Sequence, residues 1–251
     1  MKKSKYLLIA IKAAKRAAKI SKKNYNKKLD LSYKENNELV TNIDKECENV
    51  IVKTILSKFP DHNIWGEERD ETHKKSDYRW VIDPIDGTVM YSRGLDTYGI
   101  SISLEYKKET IACVNYFPSL KKMYYAEKNQ GSFLNGKRIF VSNIKNEKPL
   151  VFPSTTLTRN PNLCKKFTDN FRKNKITIRD FGSTELHFSL VAEGKADACY
   201  SFGLKTGDVS AGLLLVKEAG GKVINEKGNN ATSNDKNVIG YSKILNKKDL
   251  I

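Results

Sequence analysis

Trp80-Val81-Ile82-Asp83-Pro84-Ile85-Asp86-Gly87-Thr88 is an apolar run that stops in two carboxylates, a proline, a glycine and a hydroxyl. It reads as a buried strand ending at a charged turn. Pro84 pushes Asp83 out of the helical region, so Asp83 and Asp86, three residues apart, can converge on one point. Carboxylates held that close repel unless something positive lies between them. A hard divalent cation answers this, because Mg²⁺ takes oxygen ligands and is held by one or two carboxylates together with substrate phosphate. Gly87 lets the backbone approach a ligand closely, and N–H groups at a following helix start would face an anion. The same residues also suit an Asp-rich turn that caps a helix. On this stretch alone both readings stand.

Acids recur at similar positions elsewhere. Asn63-Ile64-Trp65-Gly66-Glu67-Glu68 is a brief strand running into a paired acid, and Asp208 opens a helix in the other half. Surface charge explains Glu67 and Glu68 taken singly, and an N-cap explains Asp208. Together, acids at three strand-end or helix-start sites in a basic protein read as a carboxylate nest for two or more Mg²⁺ ions. Two such ions roughly 4 Å apart stabilise the attacking and leaving oxygens of a phosphoryl transfer. His62, His73 and His187 and the cysteines fall outside these stretches, which argues against a His or Cys nucleophile.

The chain has 251 residues, enough for one large domain or two modest ones. Lys and Arg number 45 against 29 Asp and Glu, a formal charge of +16 that raises the question of nucleic-acid or membrane partners. The lysines are spread along the chain and interleaved with Asn and Glu, with no RNA-binding aromatic signature or zinc-finger spacing. A solvated basic surface that steers anions is the simpler account, and nucleic acid is not favoured. Cys47, Cys113, Cys164 and Cys199 lie far apart, as free thiols of a reducing cytoplasm do. Lys12, Lys15 and Arg16 interrupt the apolar patch Tyr6 to Ala10 too soon for a signal segment, and no later stretch approaches a membrane span. A cytoplasmic location without membrane contact is expected.

Periodicity predicts an amphipathic helix from Tyr6 to Ile20, a loop or short extended piece over 21 to 37, and a helix starting near Thr41 or Asn42. Strands are predicted at 98 to 105, 110 to 116 and 122 to 127, with a hairpin over 129 to 137. Lys145 to Pro149 is the expected boundary between domains 1–145 and 146–251. The second half alternates strand (150 to 154), helix (162 to 174), strand (176 to 180), helix (184 to 193), strand (198 to 201), helix (208 to 219) and strand (222 to 224). That alternation is the α/β pattern.

The chain resembles the inositol monophosphatase family of Mg²⁺-dependent, lithium-sensitive phosphatases. Trp80 to Thr88 is similar to its WxxDPxDGT signature, Gly66-Glu67-Glu68 to its upstream acidic motif, and Asp208-Val209-Ser210-Ala211-Gly212 through Glu218-Ala219-Gly220-Gly221 to its C-terminal motif. The resemblance implies a layered αβαβα sandwich of the inositol monophosphatase and fructose-bisphosphatase type, with an α+β N-terminal half and an α/β C-terminal half. It further implies that Glu67, Asp83 and the Ile85 carbonyl hold one Mg²⁺, that Asp83, Asp86 and Asp208 hold a second, and that Glu67 reaches a third through water. Thr88 would pair with Asp44, the acid of Val40-Thr41-Asn42-Ile43-Asp44, to position and deprotonate the attacking water. The N–H groups of Gly87 and Thr88 would grip the phosphate, and a homodimer is implied.

Four departures concern the substrate. Met90 replaces the usual Asn after DGT, and Gly207 replaces the usual Trp before the C-terminal aspartate, which removes a large wall from the pocket. Ser201 stands seven positions before Asp208, where inositol-specific members carry an acid. The substrate loop reads Gly182-Ser183-Thr184, and Lys205 is a candidate anion contact. The expected activity is metal-dependent hydrolysis of a small phosphorylated metabolite such as inositol monophosphate. A phosphoadenosine-phosphate phosphatase and an RNA- or protein-binding regulator on the same fold are the alternatives.

Overall fold

The computed structural model describes residues 3–34, 38–144, 147–153, 161–203 and 205–245. Helix α1 (Lys5–Asn24) is capped by the Ser4 hydroxyl, which accepts the Leu7 N–H, and buries a Leu7, Ala10, Ala14, Ala17 and Ala18 face. A small hairpin, β1 (Leu31–Tyr33) and β2 (Leu39–Thr41), leads into α2 (Asn42–Leu56). Then come β3 (Asn63–Gly66), β4 (Tyr78–Asp86) and the short α3 (Thr88–Ser92). A meander of β5 (Gly99–Tyr106), β6 (Glu109–Phe117), β7 (Lys122–Glu127), β8 (Gly131–Leu134) and β9 (Lys137–Ile139) completes the first half. The second half runs β10 (Leu150–Pro153), α4 (Pro161–Lys173), β11 (Thr177–Ile178), α5 (Thr184–Ala192) and β12 (Ala198–Ser201). A 3₁₀ turn at Thr206–Asp208 precedes α6 (Ser210–Glu218), β13 (Lys222–Asn225) and β14 (Val238–Tyr241).

Strands β3 to β9 pair in chain order into one sheet, with β3 and β4 parallel and the remainder antiparallel. The second sheet has the order β11-β10-β12-β14-β13, parallel across its first three strands. Strand alternation sends neighbouring side chains to opposite faces, and this builds the layers. Val114 and Tyr125 join Leu7, Ala14 and Ile51 under α1 and α2. Cys113, Tyr124 and Ala126 face the other way, onto Leu186 and Phe188 of α5 and Leu214 and Leu215 of α6. Those two helices also cover Cys199 and Val223 of the second sheet, so this core is shared between the halves. Tyr200 turns outward onto Phe167 and Phe171 of α4. Helices, sheet, helices, sheet and helix thus stack as the expected αβαβα sandwich.

Four segments differ from the expectation. The helix expected from Asp208 begins at Ser210, because the Asp208 carboxylate accepts the Lys205 N–H at 2.8 Å and closes a tight turn instead. The strand expected at 176 to 180 pairs only over Thr177–Ile178. The segment 21 to 37 contributes the last turn of α1 and strand β1. Strand β14, which was not expected, slots between β12 and β13. Lys145, Asn146 and Ser154 lie outside the described residues. No helix among the described residues is long and apolar enough to cross a membrane.

Candidate active site

Strand β4 does not stop before its acids but carries both of them at its end. Asp83 faces Ser101 and Asp86 faces Gly99, so the register slips by one residue at Pro84-Ile85. That is a bulge, placed where proline has no N–H to give the ladder. The Asp83 carboxylate accepts the Ile85 N–H at 3.0 Å, which turns the Ile85 carbonyl toward the Thr88 hydroxyl, also 3.0 Å away. Gly87 follows at φ 88°, and a Cβ there would stand 3.0 Å from the Thr97 carbonyl and 3.2 Å from that of Gly182. The chain turns at Gly87 because only glycine fits both the backbone angle and the close approach.

Other elements bring their acids to this turn. Thr41 caps α2, its hydroxyl accepting the Ile43 N–H at 3.1 Å, while Asp44 accepts the Thr41 N–H at 3.0 Å. This capping box leaves the second Asp44 oxygen 3.0 Å from Thr88 Oγ1, which donates to it. The Glu67 N–H donates to the Ile82 carbonyl at 3.2 Å, holding Glu67 beside β4. Asp86 spans the two halves by accepting the Thr184 N–H at 3.1 Å, the Glu185 N–H at 3.0 Å and the Ser183 hydroxyl at the start of α5. Asp208 reaches the same region from the 3₁₀ turn.

The electrostatics are those of crowded acids. Burial, followed by the charges of Glu67, Asp86 and Asp208, pushes Asp83 well above the ordinary carboxylate range. Burial lifts Asp86 to about 6 against the pull of its Ser183, Glu185 and Thr184 donors. Asp208 rises to about 7 through burial and the Glu67 charge. Asp44 rises to about 6 through burial, moderated by Thr41 and Thr88. Lys34 stands among them, its Nζ 2.9 Å from Glu67 Oε1 and also paired with Glu68. Burial pulls the Lys34 amine down, and the Glu67 and Glu68 charges more than reverse this. Among the described residues no three His, Cys, Asp or Glu side chains are gathered closely enough to share an ion as they stand. The donor chemistry nevertheless fits Mg²⁺, because mutually repelling buried oxygens with Lys34 standing in as the cation are what a hard ion would relieve.

The residues expected to meet substrate divide into two groups. Gly182 abuts Gly87, and a Cβ on it would strike Met90 at 2.4 Å, so Met90 packs against the loop rather than standing apart from it. Ser183 is the cap of α5, and its buried hydroxyl is engaged with Asp86 and the Leu186 N–H. Thr184 supplies its N–H to Asp86. Ser201 is buried at the end of β12, and the Lys205 amine is paired with Glu38. The wall expected to be missing at Gly207 is filled, because the Trp65 ring lies 2.4 Å from where a Gly207 Cβ would stand.

Two further groups beside Asp86 were not anticipated. Glu185 is 1% exposed, accepts the Asn115 amide at 2.6 Å, and is pushed well above the ordinary range by burial and the Asp86 charge. Its acidic character at a helix start reads in sequence as ordinary first-turn charge. His187 accepts the Phe181 N–H at 3.0 Å through Nε2 and so holds the loop that carries Gly182. Asp180 lies 3.4 Å from the same nitrogen, but Nε2 is already an acceptor, and burial lowers His187 from 6.5 to about 3.

A base lowered in the folded state stabilises it fully above its unfolded value and progressively less as pH falls below that value. The stability contribution of neutral His187 is therefore lost between pH 6.5 and about 3. His187→Gln keeps an acceptor for Phe181. Its urea-unfolding free energy should fall less steeply with acid than that of wild type, by up to roughly 1.4 kcal/mol per pH unit in this window. Parallel slopes for the two proteins would contradict a buried neutral imidazole.

Similarity to known proteins agrees with this geometry. The chain matches the sequence model of the Inositol monophosphatase family over residues 2–251. It is 35% identical over 229 residues to the Nus factor SuhB of Pasteurella multocida, covering 88% of this chain and 85% of that protein. It is 35% identical over 223 residues to the fructose-1,6-bisphosphatase/inositol-1-monophosphatase of Aquifex aeolicus, covering 86% and 84%. The solved Thermotoga maritima IMPase superposes with a TM-score of 0.89 at 31% identity, over 98% of this chain and 96% of the other. With the layered sandwich, the acid-bearing strand end and a family match along essentially the whole sequence, this chain belongs to the inositol monophosphatase family.

Proposed function

We propose that the chain is a Mg²⁺-dependent phosphomonoesterase acting on a small phosphorylated metabolite such as inositol monophosphate. The observation that carries this reading is the crowding of buried Asp83, Asp86 and Asp208 beside the Thr88–Asp44 hydrogen bond. Glu67, Asp83 and the Ile85 carbonyl would be the donors for one ion, and Asp83, Asp86 and Asp208 for another. A third ion would use Glu67. Bound Mg²⁺ would offset the carboxylate and phosphate charges and make water more acidic.

The protein's own groups do the rest. Thr88 donates its proton to Asp44, which leaves hydroxyl lone pairs to accept from a water. Asp44, lifted to about 6, is matched to take a proton near neutral pH. The bulge and the Gly87 turn fix the Gly87 and Thr88 backbone, whose N–H groups are assigned to the phosphate. Ser183, Thr184 and Glu185 hold Asp86 in place, and Gly182, Ser201 and Lys205 remain candidates for substrate selection. The basic surface raises the local concentration of anionic substrate, and two copies are proposed to pair.

The test is phosphate release from inositol, sugar, histidinol and adenosine phosphates, with Mg²⁺ present or chelated. One favoured monoester, turned over only with Mg²⁺, is the expected result, and preference for an adenosine bisphosphate would redirect the substrate to nucleotides. Silence on every substrate would sink the enzyme reading.

The SuhB relatives are named as Nus factors, and with a charge of +16 this supports a second reading, a regulatory factor that binds RNA or protein. Binding to RNA through many phosphates weakens steeply with salt. Tight, salt-sensitive RNA binding without phosphate release would favour that reading over catalysis.

A further inference from the structure

A cavity of about 400 Å³ opens between the β5–β6 turn, the β7–β8 turn, the far end of α6 and the loop after β13. Tyr106 pairs with Tyr78 at the start of β4, so the β5–β6 turn lies at the opposite end of that strand from Asp86. None of the carboxylates of the candidate active site lines this cavity. Its volume is within the roughly 300–1,000 Å³ of small-molecule pockets.

The lining is biased toward donors. Its acids are already engaged, since Glu218 accepts the Asn129 N–H at 2.8 Å and the Gly131 N–H at 2.7 Å, and Glu109 pairs with Lys128 at 2.7 Å. Its hydroxyls are engaged as well. Thr110 meets Ser210, Thr232 donates to Asp235, and Ser233 donates to Glu105. Two ammonium groups remain. Among the described residues neither Lys108 nor Lys217 has a carboxylate in ion-pair contact. Lys217 is half-buried and donates to the Ala231 carbonyl at 2.9 Å, which uses one of its three protons. Burial pulls this amine below its usual value against the opposing pull of the Glu109 and Asp235 charges, so an anion in direct contact would favour its charged form where partial burial leaves water little room to do so.

Leu213 and Leu214 supply an apolar floor beside the two amines. A compact doubly charged group with several acceptor oxygens matches two lysines on one cavity lining better than a single carboxylate does. We propose that this cavity is a second anion site that binds a phosphate group between Lys108 and Lys217, either as free phosphate or as a small phosphorylated metabolite whose carbon skeleton rests on Leu213 and Leu214.

Calorimetric titration of the full chain tests this, with chelator present so that hydrolysis plays no part. Inorganic phosphate, propylphosphonate and succinate are the probes. Phosphate or propylphosphonate should bind one per chain, and Lys217→Met and Lys108→Ala should each weaken binding roughly tenfold, the scale of one charge-assisted hydrogen bond. Asp83→Asn should leave it unchanged, which separates this site from the carboxylate site whatever reaction the latter catalyses. Tighter binding of inorganic phosphate assigns the site to free phosphate, and tighter binding of propylphosphonate assigns it to an organic phosphate. Lys108→Ala alters only a turn residue, so it decides the matter if Lys217→Met does not fold. Absence of binding, indifference to both lysine variants, or succinate binding as tightly as either phosphorus probe would overturn the proposal.

Discussion

Asp83→Asn should lower turnover by roughly a thousandfold or more, because a catalytic metal supplies several kcal/mol of transition-state stabilisation and each 1.4 kcal/mol is tenfold in rate. Asp83 belongs to both proposed ligand sets, so one substitution would weaken both. The same variant should be more stable than wild type when metal is chelated. Asp83 is buried among Glu67, Asp86 and Asp208, whose charges all oppose its own, and the amide removes that repulsion. Asn retains the oxygen that accepts the Ile85 N–H, so the bulge should survive. For a chain of this size each kcal/mol regained raises the melting temperature by roughly 2–4 °C. Adding Mg²⁺ should then reverse the order, since a ligand that binds only the folded protein stabilises it by mass action and the variant has lost the site. Scanning calorimetry with and without Mg²⁺, run beside the phosphate assay, gives three expected signs. Wild type should rise with Mg²⁺, the variant should not, and the variant should start higher. Wild-type turnover in Asp83→Asn, or a wild-type melting temperature indifferent to Mg²⁺, would remove Asp83 from the metal site.

The positions of the acids in the candidate site were legible because they sit in contiguous stretches whose neighbours announce a turn. Pro84 and Gly87 mark the end of β4 in one dimension, and Thr41 with Asp44 spells a capping box at the expected start of α2. The layers were legible from period and alternation. What escaped depends on partners distant in the chain. Glu185 is an ordinary helix-start acid until Asn115, 70 residues away, places an amide on it inside the protein. Strand β14 pairs with β12 and β13 only after a long connection, and its Val238-Ile239-Gly240-Tyr241 is too short to announce itself. The late start of α6 follows from a side chain competing with the backbone at Asp208, a choice that periodicity does not encode. Gly207 was misread for a related reason. A missing side chain reads in sequence as missing volume, whereas Trp65 occupies that volume from the other half of the chain.

That exchange of partners carries the second large effect. Trp65 lies two residues before Glu67, and Gly207 immediately precedes Asp208, so the contact between them joins the two segments that bring proposed metal ligands from opposite halves. A Cβ on Gly207 would stand 2.4 Å and 2.9 Å from two atoms of the Trp65 ring, closer than packed carbons tolerate. Gly207→Trp should therefore destabilise the chain by roughly 1–3 kcal/mol, as overpacking does, and should cost most of the turnover by displacing Asp208. Trp65→Ala should also destabilise, because it leaves a void beside Asp208. Combined, the two changes return an indole to the shared space from the opposite side. The double variant should be more stable than the sum of the single effects predicts, with a coupling in the range of roughly 0.5–3 kcal/mol seen for residues in contact. A double-mutant cycle by urea unfolding measures the coupling, and phosphate release reports whether Asp208 has returned. Additive losses would mean that the ring and the glycine do not share one space. Recovery of stability without turnover would mean that the indole fills the gap while leaving Asp208 displaced, and would make the identity of the residue at position 65 a determinant of the site rather than mere packing.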